Sequence, residues 1–287
     1  MKSLGYYNGE YGPLDEMRIP MNDRVCWFGD GVYEATPCAN RRIFALDEHI
    51  DRFFKSAELL NLRPELTKTQ LADLLHTLVL KVDSPEQSVY WQLTRGTADR
   101  AHPFPEGVSP NLWVMLRPWK QTNIYEKIRL ITAEDTRFLH CNIKTLNLLP
   151  NVMASEKAKQ AGCQEAVFHR GTRVTEGTHS NVHILKNGVF LTAPTDNLIL
   201  PGIARSHLIA QCKKLGVPVS ETPFTVPEMF RADEVLTSSA STLCLSVSHI
   251  NGQAVGGAAP ELLGQLQDSV LEEFRRATAP ALEKASA

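Results

Sequence analysis

Residues 166–192, AVFHRGTRVTEGTHSNVHILKNGVFLT, read as two hairpins set back to back. Strands at 166–170 and 173–176 flank a tight turn at Gly171, and strands at 181–186 and 189–192 flank Asn187-Gly188. Asn-Gly is a strong hairpin signal because both central residues of that turn take positive φ. Consecutive hairpins build an antiparallel sheet, whereas a doubly wound fold would alternate strand and helix. An α+β architecture is therefore expected.

The neighbouring segments agree with that reading. Asn8-Gly9 marks another hairpin, and 32–37, 88–95 and 111–117 are rich in β-branched and aromatic residues. Asp47 is expected to cap a helix with apolar positions at Ile50, Phe53, Phe54, Ala57 and Leu60. Thr67 and Gln70 have capping-box spacing before Leu71, Leu74, Leu75 and Leu78. Residues 96–110 form a loop too long for a simple hairpin, and long loops in compact domains are often functional. Beyond a polar stretch at 119–123 come a strand at 127–133, helices near 147–161, 204–215 and 260–277, and a strand at 234–237. Two domains are expected, at 1–118 and 124–287, with 119–123 as linker.

Composition narrows the function classes. A net charge of -2 with dispersed basic residues offers no stripe for nucleic acid. No apolar run approaches the ~20 residues of a membrane span. The first residues, Met1 to Tyr7, lack the apolar core of a signal peptide. The six cysteines form no Cys-x-x-Cys pair, so a metal site is not expected and free thiols in a cytoplasmic protein are.

Several residues have the chemistry of a site. Lys144, in Cys141-Asn142-Ile143-Lys144-Thr145-Leu146-Asn147, lies among uncharged residues before a helix. It reads either as a surface lysine or as a Schiff-base nucleophile. Glu176 leaves a strand for a glycine turn, where a carboxylate suits a pyridinium partner or simply water. Arg100 and His102 lie in the long loop, and an arginine fork suits a carboxylate. Pro201-Gly202-Ile203-Ala204 precedes a helix whose first N–H groups suit a phosphate.

Taken in order, Gly29-Asp30-Gly31-Val32-Tyr33-Glu34, His49-Ile50-Asp51-Arg52, Lys144-Thr145-Leu146-Asn147, Thr175-Glu176-Gly177, Ser180-Asn181 and Leu200-Pro201-Gly202-Ile203 resemble the fold-type IV pyridoxal-phosphate (PLP) enzymes. The resemblance runs from about Tyr7 to the final helix. Arg95-Gly96-Thr97 with Arg100-Ala101-His102-Pro103-Phe104-Pro105 is most similar to the D-amino-acid aminotransferases. The resemblance implies a cofactor between two α+β domains and transamination between a D-amino acid, such as D-alanine or D-glutamate, and 2-oxoglutarate or pyruvate. It implies Lys144 as covalent anchor and proton shuttle, and Glu176 at the pyridine nitrogen. It places Arg52, Ile203, Ala204, Ser239 and Ala240 around the phosphate. Tyr33, Arg100 and His102 would bind the substrate carboxylate, with Arg100 and His102 arriving across a homodimer interface.

The chain departs from the family pattern at four positions. Ala204 and Ala240 replace threonines whose hydroxyls commonly reach the phosphate, Leu243 replaces a usual glutamate, and His179 replaces a small or acidic residue. Ser239, Ser241 or His179 would have to compensate. Two other activities share the resemblance: a branched-chain L-amino-acid aminotransferase and an aminodeoxychorismate-type lyase.

Overall fold

Local chemistry sets most of the elements. The computed structural model describes residues 1–280. Asn8 and Gly9 take φ of 46° and 103° and join β1 (Leu4–Tyr7) to β2 (Glu10–Pro13). A five-residue helix, α1 (Arg24–Phe28), is capped by the Asp23 side chain. Then come β3 (Gly31–Ala39), β4 (Arg42–Ile43), α2 (Leu46–Leu59), α3 (Lys68–Val79), β5 (Gln87–Thr94) and β6 (Asn111–Pro118). The capping box at α3 forms as expected: Gln70 N–H donates to Thr67 Oγ1 at 3.2 Å, and Thr67 N–H donates to Gln70 Oε1 at 2.8 Å. The start of α2 differs from expectation. Its cap is Ala45, in left-handed backbone, and Asp47 lies within the first turn. There its charge faces the positive end of the helix dipole without accepting a capping bond.

The described chain divides into two units: one of Met1–Lys120, Lys144–Asn147 and the described residues from Glu273, the other of Gln121–Ile143 and Leu148–Glu272. The first holds a six-stranded sheet in the order β2-β1-β6-β5-β3-β4. Its core joins Ile50, Phe53 and Ala57 of α2 and Leu71, Leu75 and Leu78 of α3 to Val89, Trp91 and Leu116 of the sheet. The Phe53 and Trp91 rings meet at 6.1 Å, nearly edge to face. Strand β4 pairs only with Cys38 and Ala39, so the first half of β3 has an edge beyond its reach. Thr145 bridges to Val32 on that edge. Gly31 makes this crowding possible, because a Cβ there would stand 2.4 Å from the Leu93 carbonyl oxygen and 2.8 Å from Leu146 Cδ1.

The second unit holds β7 (Lys127–Glu134), α4 (Leu149–Gln160), β8 (Glu165–Arg170), β9 (Arg173–Gly177), β10 (Asn181–Lys186) and β11 (Val189–Thr192). These are followed by α5 (Ile203–Lys214), β12 (Val219–Ser220), α6 (Val226–Phe230), β13 (Glu234–Ser238), β14 (Leu245–Ile250), β15 (Gln253–Ala254) and most of α7 (Pro260–Ala277). Its sheet runs β12-β11-β10-β13-β14-β7-β8-β9, with β15 on β14. The two hairpins, β8–β9 at one end of this sheet and β10–β11 towards the other, have the expected boundaries within a residue. Strand β14 is absent from the sequence reading although Asn251-Gly252 turns it into β15; it runs antiparallel to β13 and parallel to the distant β7. Leu130, Val167, Val174, Val182, Ile184, Val235 and Val247 form a core covered by Phe224 and Met229. Ala154 and Ala158 let α4 approach β8 at Ala166 and Phe168. Among the described residues no helix is long and apolar enough to cross a membrane.

A buried histidine marks the middle of this sheet. His183 is fully buried, with Nδ1 2.8 Å from Thr192 Oγ1, Nε2 2.8 Å from Ser238 Oγ, and its ring stacked on Phe190. Burial, reinforced by the Arg205 charge, pushes its pKa down to about 3. The native state thus refuses a proton that the unfolded chain accepts below about pH 6.5. Stability contributed here is complete above that value and falls as pH drops towards about 3, by up to about 1.4 kcal/mol per pH unit. His183→Gln should flatten this acid slope in urea unfolding measured across that window. An unchanged slope would show that His183 is not the titrating group.

Candidate active site

In the first unit, Lys144 sits on an extended segment rather than at a helix start, since α4 begins only at Leu149. Its backbone is fixed on both sides. Tyr33 N–H donates to the Lys144 carbonyl at 2.9 Å, Leu146 N–H donates to the Gly31 carbonyl at 3.1 Å, and Lys144 N–H donates to Ser56 Oγ at 3.2 Å. The half-buried amine, Nζ, stands 4.3 Å from the centre of the Tyr33 ring. Tyr33 in turn stacks on Tyr90 at 5.6 Å. A lysine held by its backbone, with its amine over an aromatic face, presents a nucleophile from a rigid base.

Arg52 is gripped by Glu34, Nε to Oε1 at 2.7 Å and NH2 to Oε2 at 2.9 Å, a fork-to-fork pair. His49 Nδ1 adds a contact to Glu34 Oε2 at 2.7 Å. Burial alone would raise the Glu34 pKa, but the Arg52 charge and bonds from Arg52 and His49 override it and hold it at about 2. Burial pushes His49 below its ordinary value despite Glu34. The neutral ring then donates from Nδ1, and the charge of Arg52 is neutralised on one side by a permanent carboxylate.

Arg100 and His102 are both exposed in the 96–110 loop. They share one platform: Arg100 Cζ lies 5.4 Å from the Phe28 ring centre, and the His102 ring 5.3 Å from it. Thus Tyr33 is grouped with Lys144, and Arg100 with His102. Among the described residues no contact joins the two pairs.

In the second unit, Glu176 is the last but one residue of β9 and is 6% exposed. One carboxylate oxygen takes a very short bond from Arg137 NH1. The other accepts from Asn181 Nδ2 at 3.1 Å and Leu200 N–H at 2.9 Å. Arg137 is itself held by Asp135 through Nε at 3.0 Å and NH2 at 2.9 Å. Burial opposes the charge on Arg137, but Asp135 and Glu176 outweigh it and raise its pKa above the ordinary arginine value. Asn181 also donates to the Leu200 carbonyl at 3.0 Å. A Cβ on Gly202 would stand 2.0 Å from Asn181 Oδ1, so only glycine lets the backbone wrap this closely. Helix α5 starts immediately afterwards with no side chain capping its first turn, which leaves the N–H groups of Ile203 and Ala204 for an anion.

The turn after β13 is rich in hydroxyls. Ser239 Oγ lies 2.8 Å from Thr242 Oγ1 and 3.3 Å from Ser241 Oγ, and Ala240 sits between them. His179, largely exposed, lies in the 177–180 turn, where buried Glu165 accepts from Ser180 Oγ and His179 N–H and stands 3.3 Å from His179 Nδ1. Sequence reading misses Glu34, Glu165 and Arg137 as members of these groups. Their roles come from partners distant in sequence, as with Arg137 and Glu176, 39 residues apart.

The family description "Amino-transferase class IV" matches residues 31–250, most of the chain. The chain belongs to the class IV aminotransferases. It is 40% identical over 272 residues to a D-alanine aminotransferase of Listeria monocytogenes, covering 92% of this chain and 93% of that one. It is 37% identical to a D-alanine aminotransferase of Bacillus licheniformis, covering 93% and 97%. Among solved structures it resembles a T.th. branched-chain amino acid aminotransferase with pyridoxamine 5'-phosphate, at TM-score 0.89 and 22% identity, covering 96% and 94%. The Escherichia coli branched-chain enzyme follows at TM-score 0.86 and 21% identity, covering 97% of each chain. At these identities the structures establish the two-sheet α+β fold. This class IV aminotransferase is a PLP enzyme. Each unit by itself carries groups of a kind the cofactor needs: a backbone-fixed lysine amine in the first, and in the second a carboxylate paired with Arg137, an uncapped helix start and a hydroxyl-rich turn.

Proposed function

We propose that this aminotransferase moves the amino group of a D-amino acid, D-alanine or D-glutamate, to 2-oxoglutarate or pyruvate. The carrying observation is the exposed pair of Arg100 and His102 on a single aromatic platform, two donors suited to one carboxylate. The names of the relatives, D-alanine aminotransferases at 37% and 40% identity, support the same reading.

PLP, when bound, supplies the electron sink for cleavage at Cα. Lys144 would hold it covalently, and its amine would move the proton at the substrate Cα, as general base and then as general acid. Glu176 would pair with the ring nitrogen and favour its protonated form. Arg52, the N–H groups of Ile203 and Ala204, and the turn of Ser239 and Ala240 hold the phosphate. Tyr33 adds a hydroxyl to the carboxylate site. Arg100 and His102 reach it across a homodimer interface, in keeping with their exposure in a single chain. In this reading 119–123 links residues 1–118 to 124–287, and Lys144 to Asn147 return to the first unit.

Handedness follows from the carboxylate. With Lys144 fixed, a D-amino acid held by Arg100 and His102 turns its Cα proton towards the lysine. An L-amino acid would place its side chain among those donors and leave them unpaired. Arg100→Ala should raise KM about ten- to hundred-fold for D-alanine, the loss expected of a charge-assisted bond. A primary amine without a carboxylate should be almost unaffected. Turnover of L-leucine faster than every D-amino acid tested would replace this reading with the branched-chain one. Pyruvate release without a 2-oxo-acid acceptor would replace it with the lyase.

A further inference from the structure

The loop that bears Arg100 and His102 is held from beneath by a residue outside the site. Arg24, 2% exposed, aims its guanidinium at three consecutive carbonyls of that loop. NH1 donates to Ala101 O at 2.6 Å and Pro103 O at 3.4 Å, and NH2 to His102 O at 3.5 Å. Its Nε donates to Asp30 Oδ2 at 2.8 Å. Asp30 also accepts from Arg95 Nε at 2.9 Å, and Arg95 spreads over the Phe104 ring at 3.6 Å. The start of the loop is pinned as well: Arg24 N–H donates to Gly96 O at 2.9 Å, and Ala98 N–H donates to Asn22 O at 3.1 Å. Between these clamps residues 99–104 stay exposed.

One helical turn after Arg24, Phe28 offers its ring to three groups. Arg24 Cζ lies 4.9 Å from its centre, Arg100 Cζ 5.4 Å, and the His102 ring 5.3 Å. The short helix α1 therefore touches the loop twice, at the backbone through Arg24 and at the side chains through Phe28.

We propose that Arg24 and Phe28 are positioning residues for carboxylate recognition. Arg24 fixes the backbone from Ala101 to Pro103, and Phe28 fixes the direction of Arg100 and His102. This inference rests on the reading of Arg100 and His102 as the carboxylate donors. The planar fork matters more than the charge, because a lysine ammonium cannot span several carbonyls in fixed directions. Both act through Arg100, His102 and the loop backbone, so each affects binding and leaves the proton transfer alone.

The test is steady-state kinetics on the PLP-loaded enzyme with D-alanine and 2-oxoglutarate, both of which carry the carboxylate. Arg24→Lys and Phe28→Leu should each raise both KM values about three- to ten-fold, with kcat within about two-fold of the parent and the bound-cofactor absorbance unchanged. In an Arg100→Ala background, Phe28→Leu should add little, since coupled residues are not additive. If Arg100→Ala itself leaves KM unchanged, the carboxylate reading fails first and takes this inference with it. If Arg100→Ala raises KM while Arg24→Lys and Phe28→Leu leave it within about two-fold, the reading stands and the inference is overturned. A fall in kcat with loss of cofactor absorbance would show a general structural role and overturn it too. Should Arg24→Lys not fold, Phe28→Leu carries the test alone.

Discussion

Lys144→Ala should lose the visible absorbance of the covalently held cofactor and nearly all turnover. Proton transfer alone accounts for about 10²–10⁴-fold, and loss of the covalent anchor adds to it. The fold should survive. The bonds that hold this segment on β3 are made by backbone groups of Tyr33, Lys144, Gly31 and Leu146, and alanine keeps all of them. The side chain contributes mainly the contact of Nζ with the Tyr33 ring at 4.3 Å, worth about 0.5–1 kcal/mol at a partly exposed site. The thermal midpoint should therefore move little while the spectrum and activity collapse. A variant with the parent's visible spectrum and more than about a tenth of its activity would remove Lys144 from the role, since a general base supplies at least about 10²-fold.

Legibility in the sequence follows the range of each interaction. The Asn187-Gly188 hairpin and the Thr67–Gln70 box lie within a few residues of their partners, and both form as read. The cap of α2 is misread because Asp47 has the right chemistry but lies inside the first turn, whereas Ala45 reaches the cap by a backbone conformation that composition does not announce. The extended setting of Lys144 depends on an edge supplied by β3, far away in the chain. The same holds for the site. Ordered motifs point to Lys144, Glu176 and Arg52, but the partners that fix their directions leave no local signal. Glu34 reads as one more strand residue until Arg52 and His49 close on it. Nothing in the sequence singles out Arg24, whose carbonyl partners lie 77 to 79 residues away. Long-range polar pairing leaves no periodicity, so sequence reading finds motif residues before the partners that support them.

Glu176→Gln should lower kcat about 10²–10³-fold with PLP still bound, the size of effect seen when one preorganised electrostatic group is removed from a site. The substitution keeps shape and reach but removes the charge that retains the ring-nitrogen proton. It also disturbs the surroundings in a definite way. Glu176 accepts on both oxygens, from Arg137 on one and from Asn181 and Leu200 N–H on the other. A glutamine amide must turn its NH₂ towards one of these donor sets, leaving a donor facing a donor at a cost of about 1–3 kcal/mol. Arg137 remains paired to Asp135, so its charge is not stranded and the sheet should hold. Glu176→Asp keeps the charge but shortens the reach, and should fall between glutamine and the parent in kcat. That ordering separates charge from shape: if shape governed, glutamine would outperform aspartate. Activity of Glu176→Gln within a few-fold of the parent would show that the pyridine nitrogen needs no anionic partner here, and would leave the Arg137–Glu176 pair a structural element of β9.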